Sequence, residues 1–248
     1  MLYIIIGIGL LFIAMAFLVT ENNSKYLLSG YNTMSEAERK KVDIKSYIPY
    51  FKKFHLFLGI SFMVISLLLH YAIGEGASGV FIGVYPILAY IYFMRESNKY
   101  WQGSSNTWNK IGLYVLIGSL ILVIGLLAMG FKENRLVIGT DKMEFQGSYG
   151  EMLGWSDIKS VDIINELPRI DSKINGFALG HIKKGYFRTD TGEKIKLILN
   201  SDHHPYLQIT KLNGERIYFS TKEKPDPETF LTIKRRFQQH IGLEHLSQ

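Results

Sequence analysis

The sequence predicts an all-α, membrane-embedded bundle of about four spans, followed by a mainly-β domain of about seven strands capped by a C-terminal helix. Three observations predict it. Uncharged apolar runs crowd residues 1–131. Beyond Phe131 the charge density rises and the apolar residues fall into short, turn-bounded runs. The chain then closes on a single amphipathic stripe.

Of the 248 residues, 47% are hydrophobic and 20% charged, but the two halves differ. Residues 1–130 hold sixteen charged side chains, ten Lys/Arg against six Asp/Glu, and residues 131–248 hold thirty-four, eighteen against sixteen. A basic chain raises the question of nucleic acid, but the excess sits in the apolar half and the β half is nearly balanced, so none is expected as a partner. With no cysteine, disulfides, thiolate metal sites and thiol catalysis are excluded.

A bilayer core of ~30 Å needs about 20 apolar residues in a helix. Spans are expected at about 2–19, 56–73, 76–94 and 111–131. Met1–Thr20 could instead be a cleaved signal peptide, but it lacks a basic start and a small-residue cleavage site. Pro86 makes the third span the weakest, because a proline removes one helix hydrogen bond. Only Gly74–Ser78 separates spans two and three, which predicts a helical hairpin. Tyr92, Tyr100, Trp101 and Trp108 read as an interfacial aromatic belt. Gly7 and Gly9 read as helix-packing positions. Apart from His70, the four spans as drawn contain no ionisable residue.

Lys/Arg near the membrane set orientation. The loops after spans one and three carry ten, and the other side carries three, Lys132, Arg135 and Lys142. This places the bundle in the cytoplasmic membrane with the C-terminal domain outside. If span three is only re-entrant, the domain moves inside.

Between spans one and two, Ser35 and Glu38 fit a capping box, and Glu36, Glu38, Lys40 and Lys41 suit the helix dipole, predicting a short charged helix. Tyr47, Ile48, Tyr50, Phe51 and Phe54, interleaved with Lys45, Lys52 and Lys53, read as an interfacial ramp whose lysines could meet anionic headgroups or simply set orientation. Gly30, Tyr31, Asn32, Thr33, Met34 and Ser35 resemble the hallmark motif of a bacterial membrane family called domain of unknown function 3784. The resemblance covers roughly residues 1–98 and implies a span, the motif and a helical hairpin, with no chemistry.

In the second half, strands are expected at Arg135–Ile138, Lys142–Gln146, Tyr149–Leu153, Ser160–Ile164, Gly185–Thr189, Lys194–Leu199, Tyr206–Lys211 and Glu215–Ser220. Asp190-Thr191-Gly192 and Asn213-Gly214 supply hairpin turns. Asp226 suits an N-cap and Pro227 the first helical position, and Phe230, Ile233, Phe237 and Ile241 fall on one helical face. Strands closed by one such helix over 132–241, with a tail at 242–248, form the pattern of a pleckstrin-homology-like (PH-like) barrel. Trp155, Asp157, Ile158 and Val161 resemble a "W-x-D-I-x-x-V" step of bacterial PH-like domains. Leu167-Pro168, Asn175-Gly176-Phe177 and Gly185-Tyr186-Phe187 resemble an "LP…NGF…GxF" pattern in one such group. The loop joining the first two strands, taken at Gly147-Ser148, has no basic residue, so phosphoinositide binding is not expected.

No phosphate loop, nucleophile elbow, zinc-protease helix or dinucleotide fingerprint occurs. Asp202, His203 and His204 read as a polar turn before Pro205 rather than a metal site. No catalytic, cofactor or metal residue is assigned. The leading expectation is a non-enzymatic membrane protein, bound to the lipid bilayer, whose β domain docks a protein or peptide on an exposed strand edge. The alternative is a transport or lipid-handling component, resting on His70 and Pro86.

Overall fold

The computed structural model describes residues 1–28, 31–101, 107–224 and 227–246, so Gly30 and Asp226, and the side chains of Trp108 and Ile241, lie outside the described part. The chain forms two compact units, Met1–Leu126 and Leu127–Gln248.

In the first unit α1 (Leu2–Leu18) packs on α4 (Ile44–Ala72), and α4 packs on α5 (Glu75–Ser97). Short helices α2 (Ser24–Leu27) and α3 (Glu36–Arg39) lie between α1 and α4. The helix α6 starts at Thr107 and ends at Phe131. Among the described residues three helices, α4, α5 with its 3₁₀ extension to Tyr100, and α6, are long and apolar enough to cross a membrane. At 17 residues α1 is at the short end of that range. None of the apolar stretch of α6 is fully buried within the chain, and apart from contacts such as Gly112 with Met94 and Val123 with Gly83 its surface is left for lipid or another helix. α5 runs unbroken through Pro86, as proline can within an apolar bundle.

α1 and α4 run antiparallel and meet at two glycines. A Cβ on Gly59 would lie 2.7 Å from the Gly9 carbonyl oxygen and 3.0 Å from the Ile13 amide nitrogen, so only glycine permits the approach. Gly7, expected to pack as well, has nothing within 4 Å of its would-be Cβ and faces outward.

The described residues of the second unit form nine strands in two sheets where the sequence pattern predicts about seven. β1 (Arg135–Ile138), β2 (Lys142–Gln146) and β3 (Met152–Gly154) form an antiparallel meander. β4 (Ile158–Ile164), β5 (Ile170–Leu179), β6 (Ile182–Thr189), β7 (Lys194–Leu199), β8 (Tyr206–Lys211) and β9 (Arg216–Ser220) form a sheet in the order β4-β8-β9-β7-β6-β5. All its pairs are antiparallel except β7 with β9. The third strand begins at Met152 rather than Tyr149, because Tyr149 has φ +60° and belongs to the preceding turn. β5 has no counterpart among the strands expected from the sequence.

Neither sheet closes on itself, yet the larger one curls. β4 and β5 occupy its opposite edges, and Ile164 and Ile170 are joined by a link spanning at most roughly 22 Å when fully extended. Five interstrand gaps in a flat sheet would separate those edges by roughly 24 Å. The link carries Leu167, which with Ile164 and Ile170 packs on a core of Phe187, Ile195, Leu197, Leu199, Tyr206 and Tyr218. The other face of the sheet packs on the β1–β3 meander and on α7 (Pro227–Leu246). There Phe230, Ile233 and Phe237 are buried, as their helical spacing predicts.

The last turn of α6 is seated in the second unit. Phe177 packs edge-on to Phe131 and covers Gly130, and the Ser148 hydroxyl donates to the Met129 carbonyl at 3.1 Å. The Lys184 ammonium donates to the Lys132 carbonyl, placing a cation at the negative end of the helix. Asn200 then brackets Asn134, accepting from its amide and donating to its carbonyl, both at 2.8 Å.

Lys184 is fully buried, and burial pushes its ammonium down to about 8 while Glu133 pulls the other way. Between that value and the ordinary 10.5 the unfolded chain holds a proton the folded chain has lost, so this group makes stability rise with pH across that window. Below it both states are protonated, and folding carries the full cost of the buried charge, up to about 3 kcal/mol. Lys184→Met is therefore expected to stabilise the β domain at pH 7 by about 1–2 kcal/mol, the Lys132 carbonyl losing its donor in exchange. It should also flatten the alkaline rise in denaturant midpoint. An unchanged rise in the variant would remove Lys184 as its cause.

Candidate functional site

The motif after α1 builds a clasp. Leu28 O accepts from the amides of Tyr31 and Asn32, and Tyr31 O accepts from Met34, winding the segment into a turn. Arg39 holds that turn, donating through Nε to Tyr31 O at 3.2 Å and through Nη2 to Asn32 O at 3.0 Å. Ser35 and Glu38 form the expected capping box, and the Ser35 amide and hydroxyl hold the Glu38 carboxyl below its ordinary range. Met34 packs against the bundle core, and the buried Tyr31 ring stands edge-on to Trp101 at 6.3 Å. Val42 bridges to Trp101, and the Asp43 amide donates to Tyr100 O at 2.9 Å. Tyr100 and Trp101, expected in an interfacial aromatic belt, pack on Tyr47, and Tyr92 is exposed.

Beneath the clasp lies a residue that sequence reasoning missed. The second span was drawn from Leu56, but α4 begins twelve residues earlier, at Ile44, so His55 falls inside a membrane-length helix and corrects the expectation that His70 is the only ionisable group there. His55 is 1% exposed. Its Nδ1 lies 2.8 Å from Phe51 O and its Nε2 lies 3.1 Å from Tyr90 Oη. A carbonyl only accepts, so Nδ1 carries the proton and Nε2 of the neutral ring accepts from Tyr90. Ser61 and Tyr85 share a second hydrogen bond across the α4–α5 seam, at 2.6 Å.

In the β unit, the PH-like motif residues are architectural. Trp155 opens a 3₁₀ turn, is buried in the core and donates through Nε1 to Thr140 O at 2.9 Å. Asp157 accepts from the Gly154 amide at 3.2 Å, and Ile158 begins β4 in the core. Pro168 sits in the link between β4 and β5. Gly176 and Gly185 face each other across β5 and β6, where a Cβ on either would strike the partner strand within 2.3 Å. Asn175 accepts from Tyr149 Oη at 3.3 Å, Phe177 covers the end of α6, and Phe187 is buried.

The loop joining the first two strands is Gly139–Asp141, not Gly147-Ser148, which joins β2 to β3; it too lacks a basic residue. Asp202 pairs with His181 at 2.9 Å on the surface, and among the described residues no group of three or more His, Asp or Glu gathers as metal ligands would. A partly buried ion cluster ties the start of β3 to the larger sheet: Glu151 binds the buried Lys196 and the half-buried Lys211, and Lys211 also reaches Glu215 at 2.8 Å.

Two edges bound the six-stranded sheet. β4 lies against α7, with Lys234 3.9 Å from Asp162. β5, ten residues long, has no strand beyond it among the described residues, and Asp171 to Asn175 are exposed. Its register shifts between Ile170 and Ser172 and again between Lys173 and Asn175, so two bulges bend this stretch. Bulges re-aim side chains and limit indiscriminate strand pairing.

Residues 6–101 match the family model described as Domain of unknown function (DUF3784). The matched segment contains most of α1, the motif, the hairpin and, as its last residue, Trp101, so both partners of the clasp fall within it. No curated protein and no solved structure matches the chain.

Proposed function

We propose that this is a non-enzymatic, multi-pass protein of the bacterial cytoplasmic membrane whose β domain, on the extracytoplasmic side, docks a protein or peptide partner along β5. The observation carrying this reading is the free edge of β5, where the bulges present Asp171, Lys173 and Ile174 to solvent. An extended peptide would gain main-chain hydrogen bonds from the edge and specificity from those side chains. The Lys/Arg count of the loops supports the sidedness.

Photo-crosslinking in the native membrane tests it. A crosslinker at Ile174 should give a discrete adduct, and one at Leu212, still more exposed but distant in the strand order, should not. Matching patterns from both positions, or none from Ile174, would count against docking at β5. A reporter pair fused after residue 248 reads the side independently.

A second reading, handling of a lipid or small solute by the helices, is favoured by the His55–Tyr90 and Ser61–Tyr85 pairs along the α4–α5 seam. It predicts that His55→Phe changes uptake or lipid composition at unchanged protein abundance.

A further inference from the structure

We infer that Ser66, His70 and Ser78 enclose a polar site at the hairpin end of α4 and α5 that takes one water molecule. Ser66 is 0% exposed and its Oγ has no hydrogen-bond partner. One helical turn on, His70 Nδ1 is likewise buried and unpartnered. Positions i and i+4 share a helix face with Cβ atoms about 5–6 Å apart, a gap that one bridging molecule fills. Ser78, also 0% exposed, closes the third side, its Oγ donating to Ser66 O at 3.1 Å while its lone pairs stay available.

The Ser66 rotamer is informative. Serines in apolar helices commonly return the hydroxyl to the carbonyl four residues back, and Ser61 and Ser119 do so at 2.6 and 2.8 Å. Ser66 makes no such bond. A buried hydroxyl that forgoes its own back-bond within an apolar medium is costly unless another partner meets it. The chemistry of the lining selects that partner. A hydroxyl both donates and accepts, and a neutral imidazole nitrogen does one or the other, so water satisfies both. Among the described residues no group of three or more His, Asp or Glu gathers as metal ligands would. α4 thus carries two histidines of opposite kind: His55 with both ring nitrogens engaged by protein, and His70 with one nitrogen turned to water.

Solid-state NMR on the full chain in lipid bilayers, with ¹⁵N-histidine, tests this by polarisation transfer from water to each ring nitrogen. His55→Gln and His70→Gln variants assign the signals. Transfer to His70 Nδ1 and none to His55 is expected. Ser66→Ala should abolish the Nδ1 transfer and leave any transfer to Nε2 from bulk solvent. A His70 Nδ1 as dry as His55, or a transfer that survives Ser66→Ala, overturns the site.

Discussion

Glu151→Ala is expected to destabilise the β domain by about 3–5 kcal/mol, the cost of stranding buried charge. Glu151 sits between Lys196, whose side chain is 4% exposed, and Lys211, at 15%. Lys211 keeps Glu215 when Glu151 is removed, but Lys196 keeps no carboxylate. Pulse proteolysis of the full-length protein in detergent, against urea, measures the loss. The double variant Glu151→Met with Lys196→Met removes both charges and fills their space, so it should recover most of the stability. If the double variant is as unstable as the single, packing rather than charge is at stake. The pH dependence follows from the same cluster. Burial pushes the Glu151 carboxyl up, but Lys196 and Lys211 outweigh it and hold it below the ordinary 4.5. Its contribution is therefore complete above pH 4.5 and drains away as the pH falls through the lower folded value. Wild type should lose stability in acid over that window, and the double variant should lose less.

That cluster also shows where sequence reading stops. Glu151 and Lys196 are 45 residues apart, and no local pattern pairs them. Features written in neighbouring residues were legible: the Ser35–Glu38 box, the Asn213-Gly214 turn and the Phe230, Ile233, Phe237 stripe all depend on fixed short spacings. β5 was illegible for a physical reason. Its two bulges break the alternation of a strand, its edge position leaves polar residues in the run, and its Asn175-Gly176 pair mimics a hairpin turn while serving as a close strand contact. Its visibility would have required knowing that β6 lies beside it. His55 was lost differently. Hydropathy finds the apolar part of a helix, whereas α4 begins in a polar segment capped by Asp43, and a buried histidine sits on the seam between the two. The motif at Tyr31–Ser35 was recognisable as a unit, but its purpose depended on Arg39 and Trp101, which only the folded clasp brings to it.

The glycine crossing of α1 on α4 sets the second large effect. Gly59→Val is expected to expel α1 from the bundle, because the added carbons meet the Gly9 carbonyl and the Ile13 amide, and backbone cannot rotate aside as the Met63 side chain opposite Gly9 can. Overpacking of this kind costs about 1–3 kcal/mol in a core. Lipid satisfies the apolar surface of α1 as well as α4 does, so only close packing favours the pair, and the buried Ile5, Phe12 and Ala16 depend on that approach. The chain has no cysteine, so pairs can be introduced freely. Phe17→Cys with Lys52→Cys reports the contact, Lys52 Nζ lying 4.7 Å from the centre of the Phe17 ring. A short bifunctional thiol reagent should join the two in an otherwise unchanged chain and fail when Gly59→Val is added. Gly7→Val, on the open side of α1, should leave the crosslink intact. Equal crosslinking in both valine variants would mean that α1 is held by its loop and by the clasp at Tyr31 and Trp101, and not by the fit of Gly9 against Gly59.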